Sequence, residues 1–140
     1  MSVYLDASVL VSLFANDALT ARADAFLRTH PSILIVSDFA AAEFASAIAR
    51  RVRMRILTAD EARAAFSTFD AWTAGKAGWT QTTPADVASA AAFLRRLDLT
   101  LRAPDAINIA IAQRIEADLL TFDDQLAASA RALGTTVLVG

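Results

Sequence analysis

Pro31-Ser32-Ile33-Leu34-Ile35-Val36-Ser37-Asp38 is the stretch on which the fold turns. Its centre is a run of four apolar residues, three of them β-branched, with turn-forming residues on both sides, which is the pattern of a strand. The run is apolar throughout rather than alternating, as expected for a strand covered by helices on both faces. Asp38 then reads as a helix cap. Phe44, Ala47, Ile48 and Val52 follow it at helical spacing.

The same strand-then-helix unit recurs outward from that point. Upstream, residues 2–7 (Ser-Val-Tyr-Leu-Asp-Ala) read as a buried strand ending on a polar residue. Helices are predicted over about 8–15 and 18–29, the second stopping at His30-Pro31. Downstream, Thr58-Ala59-Asp60-Glu61 is a capping box that opens a helix running to about Gly75. Residues 75–83 read as a loop with room for a short edge strand. Thr83 and Pro84 then supply a cap and a first helical position for a helix ending near Leu97. Pro104 opens another helix, in which Ile107, Ile111 and Ile115 recur every four residues. Leu119-Leu120-Thr121-Phe122 is a third strand, Asp124 to Leu133 is a helix stopped by Gly134, and residues 136–139 form a final strand. The expectation is an α/β domain with a mainly parallel sheet of about four to five strands flanked by helices. At 140 residues, without repeat or linker, the chain is expected to be a single domain over residues 1–140.

Composition narrows the chemistry. There is no cysteine, hence no disulfide framework and no thiolate chemistry. No basic-then-apolar leader precedes Val3 and no apolar run nears the ~20 residues of a membrane span, so a cytoplasmic location is the expectation. The net charge of -2 argues against binding nucleic acid mainly through a basic face. It is compatible with a nuclease whose divalent ions offset its own carboxylates. A hydrophobic fraction of 56%, above the usual ~45–50%, is rich in alanine and hints at an apolar surface kept for a partner or a second copy.

In open parallel sheets ligands bind beyond the C-terminal strand ends. Asp6 ends the first strand, and Asp123 and Asp124 follow the third. Glu43 lies in the first turns of the helix after the second strand, and Asp105 follows Pro104 at a helix start. Four segments thus deliver carboxylates toward one sheet edge, where mutual repulsion is severe unless protons or cations intervene. Hard oxygen donors suit magnesium or manganese, and one histidine without cysteine makes a poor zinc set. Each residue also has a plainer reading. Asp6 suits a turn, Glu43 a solvated helix face, Asp105 a favourable charge at a helix N-terminus, and one of Asp123 and Asp124 must cap the last helix.

At these residues the chain resembles the PIN-domain ribonuclease family, and within it the VapC toxins of VapBC type II toxin–antitoxin systems. The resemblance is carried by Tyr4-Leu5-Asp6-Ala7-Ser8, Ala42-Glu43, Arg102-Ala103-Pro104-Asp105-Ala106 with Ala110, Leu120-Thr121-Phe122-Asp123, and the helix to Leu133-Gly134. It covers essentially the whole chain. It implies a PIN-like fold and a Mg²⁺-dependent endoribonuclease, with Mn²⁺ as substitute, hydrolysing RNA phosphodiester bonds. Asp6, Glu43, Asp105 and Asp123 fall on the family's catalytic, metal-holding acids. Ser8 and Thr121 fall on polar positions that support them, and Asp124 is left as a cap or outer residue. The implied partners are an RNA substrate, a cognate VapB-type antitoxin that can tie the toxin to operator DNA, and a second copy in a homodimer, with no membrane partner.

Other residues stay open between two readings. Arg50, Arg51, Arg53 and Arg55 suit either a grip on RNA phosphates or a solvated helix end. Trp72 and Trp79 suit core or dimer packing before base stacking. Asn108, one turn after Asp105, either orients that carboxylate or is an ordinary exposed amide. Gly75-Lys76-Ala77-Gly78 lacks P-loop spacing. The rival functions are a receiver-type signalling domain, a non-catalytic binding module and a housekeeping RNA-processing nuclease without an antitoxin.

Overall fold

The computed structural model describes residues 1–30 and 32–138, so Pro31 and the Val139 end of the expected last strand lie outside the described residues. The elements run β1 (Ser2–Leu5), α1 (Ala7–Phe14), α2 (Thr20–Thr29), β2 (Ile33–Ser37), α3 (Asp38–Arg53) and α4 (Ala59–Gly75). They continue β3 (Gly78–Thr80), α5 (Pro84–Arg95), α6 (Ala103–Arg114), β4 (Asp118–Leu120), α7 (Asp124–Ala132) and β5 (Val137–Leu138). Five strands form one sheet in the order β3-β2-β1-β4-β5. Every pairing is parallel, with Val3 opposite Leu34 on one side and Asp118 on the other.

Central placement explains the sequence of β1. Val3, Tyr4 and Leu5 are fully buried because helices close both faces. With right-handed crossovers, the connections running outward to β3 and those running to β5 fall on opposite faces. On the first face α1 packs against α2, α3 and α4. There Phe14 meets Phe44, Phe69 and Trp72 with ring centroids 6.0, 5.5 and 5.5 Å apart. Trp72 is thus a packing residue. Trp79 sits half exposed on the edge strand β3.

The helices α4, α5 and α7 carry the caps their sequences announce. Thr58 and Glu61 complete the capping box of α4, and Thr83 with Asp86 completes that of α5. Gly134 takes φ +85° just beyond α7, a conformation that costs a glycine little. Asp38 is not the cap of α3. Ser37 Oγ accepts from Ala40 N at 2.9 Å, while the Asp38 carboxylate accepts from Thr82 N at 2.8 Å and Thr82 Oγ1 at 2.6 Å. That tie holds the segment after β3 against α3, and β3 itself is the edge strand within residues 75–83. The first and fourth strands are shorter than expected at their C-terminal ends, since Asp6 and Thr121 leave the sheet to serve the turns beyond it. No helix among the described residues is long and apolar enough to cross a membrane.

Candidate functional site

The chain leaves β1 through β2 to β3 in one direction, then returns to place β4 on the other side of β1. The crevice beyond the C-terminal ends of β1 and β4 is therefore the topological switch point of the sheet, where parallel α/β folds take their ligands. Asp6 is the first residue after β1, and Thr121 the first after β4. Asp6, Ser8, Glu43, Asp105, Asn108 and Asp123 line one cavity of about 270 Å³ at this point. Four carboxylates from four segments thus share one space.

Each carboxylate is fixed by its own element. Asp6 N-caps α1, its Oδ1 accepting from Val9 N at 3.3 Å and Ser8 Oγ at 2.6 Å. Its Oδ2 accepts from Thr121 Oγ1 at 2.7 Å. Ser8 and Thr121 therefore hold Asp6 from both sides, and Ser8 Oγ also accepts from Phe122 N at 3.0 Å, joining the β1 and β4 turns. Asp123 caps α7 through Oδ1 alone, which accepts from Gln125 N at 3.0 Å and Leu126 N at 3.1 Å. Asp105 Oδ2 accepts from Arg102 N at 3.2 Å at the start of α6. Glu43 Oε1 accepts from Asn108 Nδ2 at 2.6 Å. In Asp123, Asp105 and Glu43 a single oxygen meets these structural needs, so the other is not required for the fold.

Asn108 is neither exposed nor a partner of Asp105. It is 2% exposed and joins three groups. Tyr4 Oη donates to its Oδ1 at 2.5 Å, while its Nδ2 serves Glu43 and also Pro104 O at 3.1 Å. Tyr4 Oη is in turn 2.7 Å from Ser37 Oγ. A buried chain of hydrogen bonds thus runs from the cap of α3 through β1 and α6 to Glu43. The sequence reading missed Tyr4 as part of it. The available signal was a hydroxyl inside an otherwise aliphatic central strand, since a buried Tyr hydroxyl needs a partner. Asp124 is not the cap of α7 and does not line the cavity; it is an exposed first helical residue.

The electrostatics follow from burial and proximity. Burial pushes the Asp6 carboxyl up, the negative Asp123 adds to this, and the bonds from Ser8, Thr121 and Val9 oppose it. Glu43 is raised by burial and by Asp6 and Asp105, against the bond from Asn108. The ion pairs Arg51–Asp17, Arg63–Asp60, Arg96–Asp98 and Arg114–Asp86 take up none of these four carboxylates. The cavity is thus a set of hard oxygen donors under mutual repulsion, which suits a small dication. Among the described residues, no three His, Cys, Asp or Glu side chains meet at one ligating point. The carboxylates line a common space without converging within it.

The basic cluster divides. None of Arg50, Arg51, Arg53 and Arg55 lines the acidic cavity. Arg51 is bonded to Asp17 at 3.3 Å, and Arg55 lies beyond α3 at φ 60°.

Among curated proteins, none matches the chain significantly in sequence. Among solved structures, it is similar to the toxin VapC20 of Mycobacterium tuberculosis, which cleaves the sarcin-ricin loop. The TM-score is 0.75 and the identity 19%, over 97% of this chain and 98% of that one. It is similar also to VapBC2 of Rickettsia felis bound to a fragment of promoter DNA, with a TM-score of 0.69 and 11% identity over 99% and 98% of the two chains. A toxin–antitoxin complex of Klebsiella pneumoniae gives a TM-score of 0.64 and 19% identity over 90% of each chain. At these identities the likeness is one of fold. The PIN domain family model matches residues 3–132, nearly the full length, and takes in every carboxylate of the cavity. The chain belongs to the PIN-domain family.

Proposed function

We propose that this protein is the toxin of a type II toxin–antitoxin pair and acts as an endoribonuclease dependent on Mg²⁺, with Mn²⁺ as substitute. The observation that carries the reading is that Asp6, Glu43, Asp105 and Asp123 line one cavity at the switch point, without an arginine ion-paired to any of them in the four pairs above. Membership of the PIN family and the toxin–antitoxin proteins among the structures of like fold support it. The sheet order also counts against a receiver domain, whose strands run 2-1-3-4-5 rather than β3-β2-β1-β4-β5.

In this reading Asp6, Glu43, Asp105 and Asp123 are the side chains that would draw in around the dication. A bound dication would supply the means to activate a water and to offset negative charge on the phosphodiester and the departing oxygen. The chain's own contribution is placement. Ser8 and Thr121 fix the Asp6 carboxylate, Asn108 fixes Glu43, and the caps of α6 and α7 fix Asp105 and Asp123. No side-chain nucleophile is required. An antitoxin that inhibits such a site has to meet its negative charge, and a basic side chain does so.

The test is RNA cleavage by purified protein in EDTA, then with Mg²⁺ or Mn²⁺ restored. Activity should vanish and return. Asp105→Asn, folded by circular dichroism, should lose on the order of 10²-fold or more, the scale of a positioned catalytic group. Cleavage that survives chelation, or that Asp105→Asn leaves intact, overturns the mechanism.

A further inference from the structure

A second and larger depression, about 730 Å³, adjoins the acidic cavity and shares with it Glu43, Ala7, Arg102 and Pro104. Its opposite character is notable against a chain of net charge -2. One stripe of α3, at i+3 and i+4 spacing, passes from Glu43 through Ala47 to Arg50 and Arg53. At about 1.5 Å per residue the two arginines stand roughly 10 and 15 Å along the helix axis from Glu43. Arg102, at the entry to α6, stands where groove and cavity join. Met54 and Ile56, 56% and 59% exposed, add apolar surface to the groove.

We propose that this groove carries the single strand of RNA flanking the scissile phosphate, with Arg50, Arg53 and Arg102 contacting the backbone and Met54 and Ile56 giving bases an apolar surface. The proposal rests on the nuclease reading and adds to it a substrate path. Charge complementarity selects the occupant. The four carboxylates repel an approaching polyanion, and the arginines of the adjoining groove give it an approach that the cavity itself denies. Arg51 lines the groove too, but its guanidinium is committed to Asp17. Arg55 does not line it. The run of four arginines thereby separates into two that guide RNA and two that do not.

The experiment measures binding of two fluorescein-labelled single-stranded RNAs of unrelated sequence across a salt series in EDTA. The proteins are wild type, Arg50→Gln/Arg53→Gln/Arg102→Gln and Arg55→Gln. Each phosphate contact contributes about 0.7 to the slope of log affinity against log salt for single strands. The triple variant should therefore lose about 2 from the slope and roughly tenfold or more in affinity at low salt, equally for both sequences. Arg55→Gln should match wild type. Should the triple variant not fold, Arg53→Gln alone should lose about 0.7 from the slope. An unchanged slope in the folded triple variant, or an equal loss in Arg55→Gln, overturns the proposal. So does poly-glutamate binding in place of RNA with the same dependence on the three arginines, which marks a groove for an acidic protein segment. Cleavage is scored separately. Arginine-dependent binding without metal-dependent cleavage upholds the groove and removes the nuclease, and cleavage with an unchanged slope does the reverse.

Discussion

Asp6 closes β1, caps α1 and faces the acidic cavity, so one side chain answers to a strand, a helix and a site at once. Its burial at 5% exposure beside Asp123 makes the ionised form costly, and the bonds from Ser8 and Thr121 only partly offset this. The consequence for stability has a definite sign. The folded carboxyl titrates above its unfolded value, so between the two values the native state holds more protons. Stability therefore falls as pH rises from the ordinary aspartate range near 4 toward the raised folded value. Asn at this position carries no such charge, and its removal also relieves Glu43, which Asp6 helps to raise. In EDTA, the melting temperature of Asp6→Asn minus that of wild type should grow more positive from about pH 4 to pH 7. Thermal melts across that range check it. A difference that stays flat or reverses contradicts the view that an uncompensated charge resides there.

At the scale of elements, local signals that satisfy themselves were legible and those settled by distant partners were not. The capping box at Thr58 to Glu61 is closed by its own residues, 2.9 and 3.1 Å bonds in both directions, so four letters suffice to place it. Thr58→Ala should cost about 1 kcal/mol, the usual worth of such a cap. It should leave metal-dependent cleavage unaltered, since α4 contributes nothing to the cavity. Urea unfolding alongside a cleavage assay checks both, and loss of activity at native stability counts against that separation. Ser37 and Asp38 show the other case. Both suit a helix cap, and the choice falls to Ser37 because Thr82, 44 residues on, claims the Asp38 carboxylate. Strand β3 was barely visible because Gly78-Trp79-Thr80 is only three residues long, opens on a glycine and sits within a stretch of loop-forming residues. It exists through pairing with Ile35 to Ser37. The candidate site divides likewise. Asp6, Glu43, Asp105 and Asp123 stand beside turn and cap signals that place them at one sheet edge. Asn108 and Tyr4 acquire meaning only when α6 and β1 are brought together across 104 residues.

The whole molecule is organised around an electrostatic deficit at its switch point. The parallel sheet brings Asp6 and Asp123 to neighbouring strand ends, α3 and α6 close over them with Glu43 and Asp105, and the described ion pairs lie elsewhere. A fold that keeps such repulsion within its own structure gains stability from any ligand that removes it, because a ligand of the native state alone stabilises by an amount that grows with the logarithm of its concentration over its dissociation constant. Proposed as a dication site, the cavity makes a measurable demand on stability as well as on catalysis. At a concentration of Mg²⁺ or Mn²⁺ about 100 times its dissociation constant, native-state binding contributes about 2.7 kcal/mol. In a chain of this length that corresponds to a rise in melting temperature of roughly 5–10 °C. Sodium chloride at matched ionic strength should give much less, since screening acts weakly on partly buried charges. Asp105→Asn/Asp123→Asn, which halves the donor set, should lose most of the dication shift while keeping the response to sodium. Equal shifts from sodium and magnesium, or a full magnesium shift in the double variant, would mean that the four carboxylates do not act together on an ion.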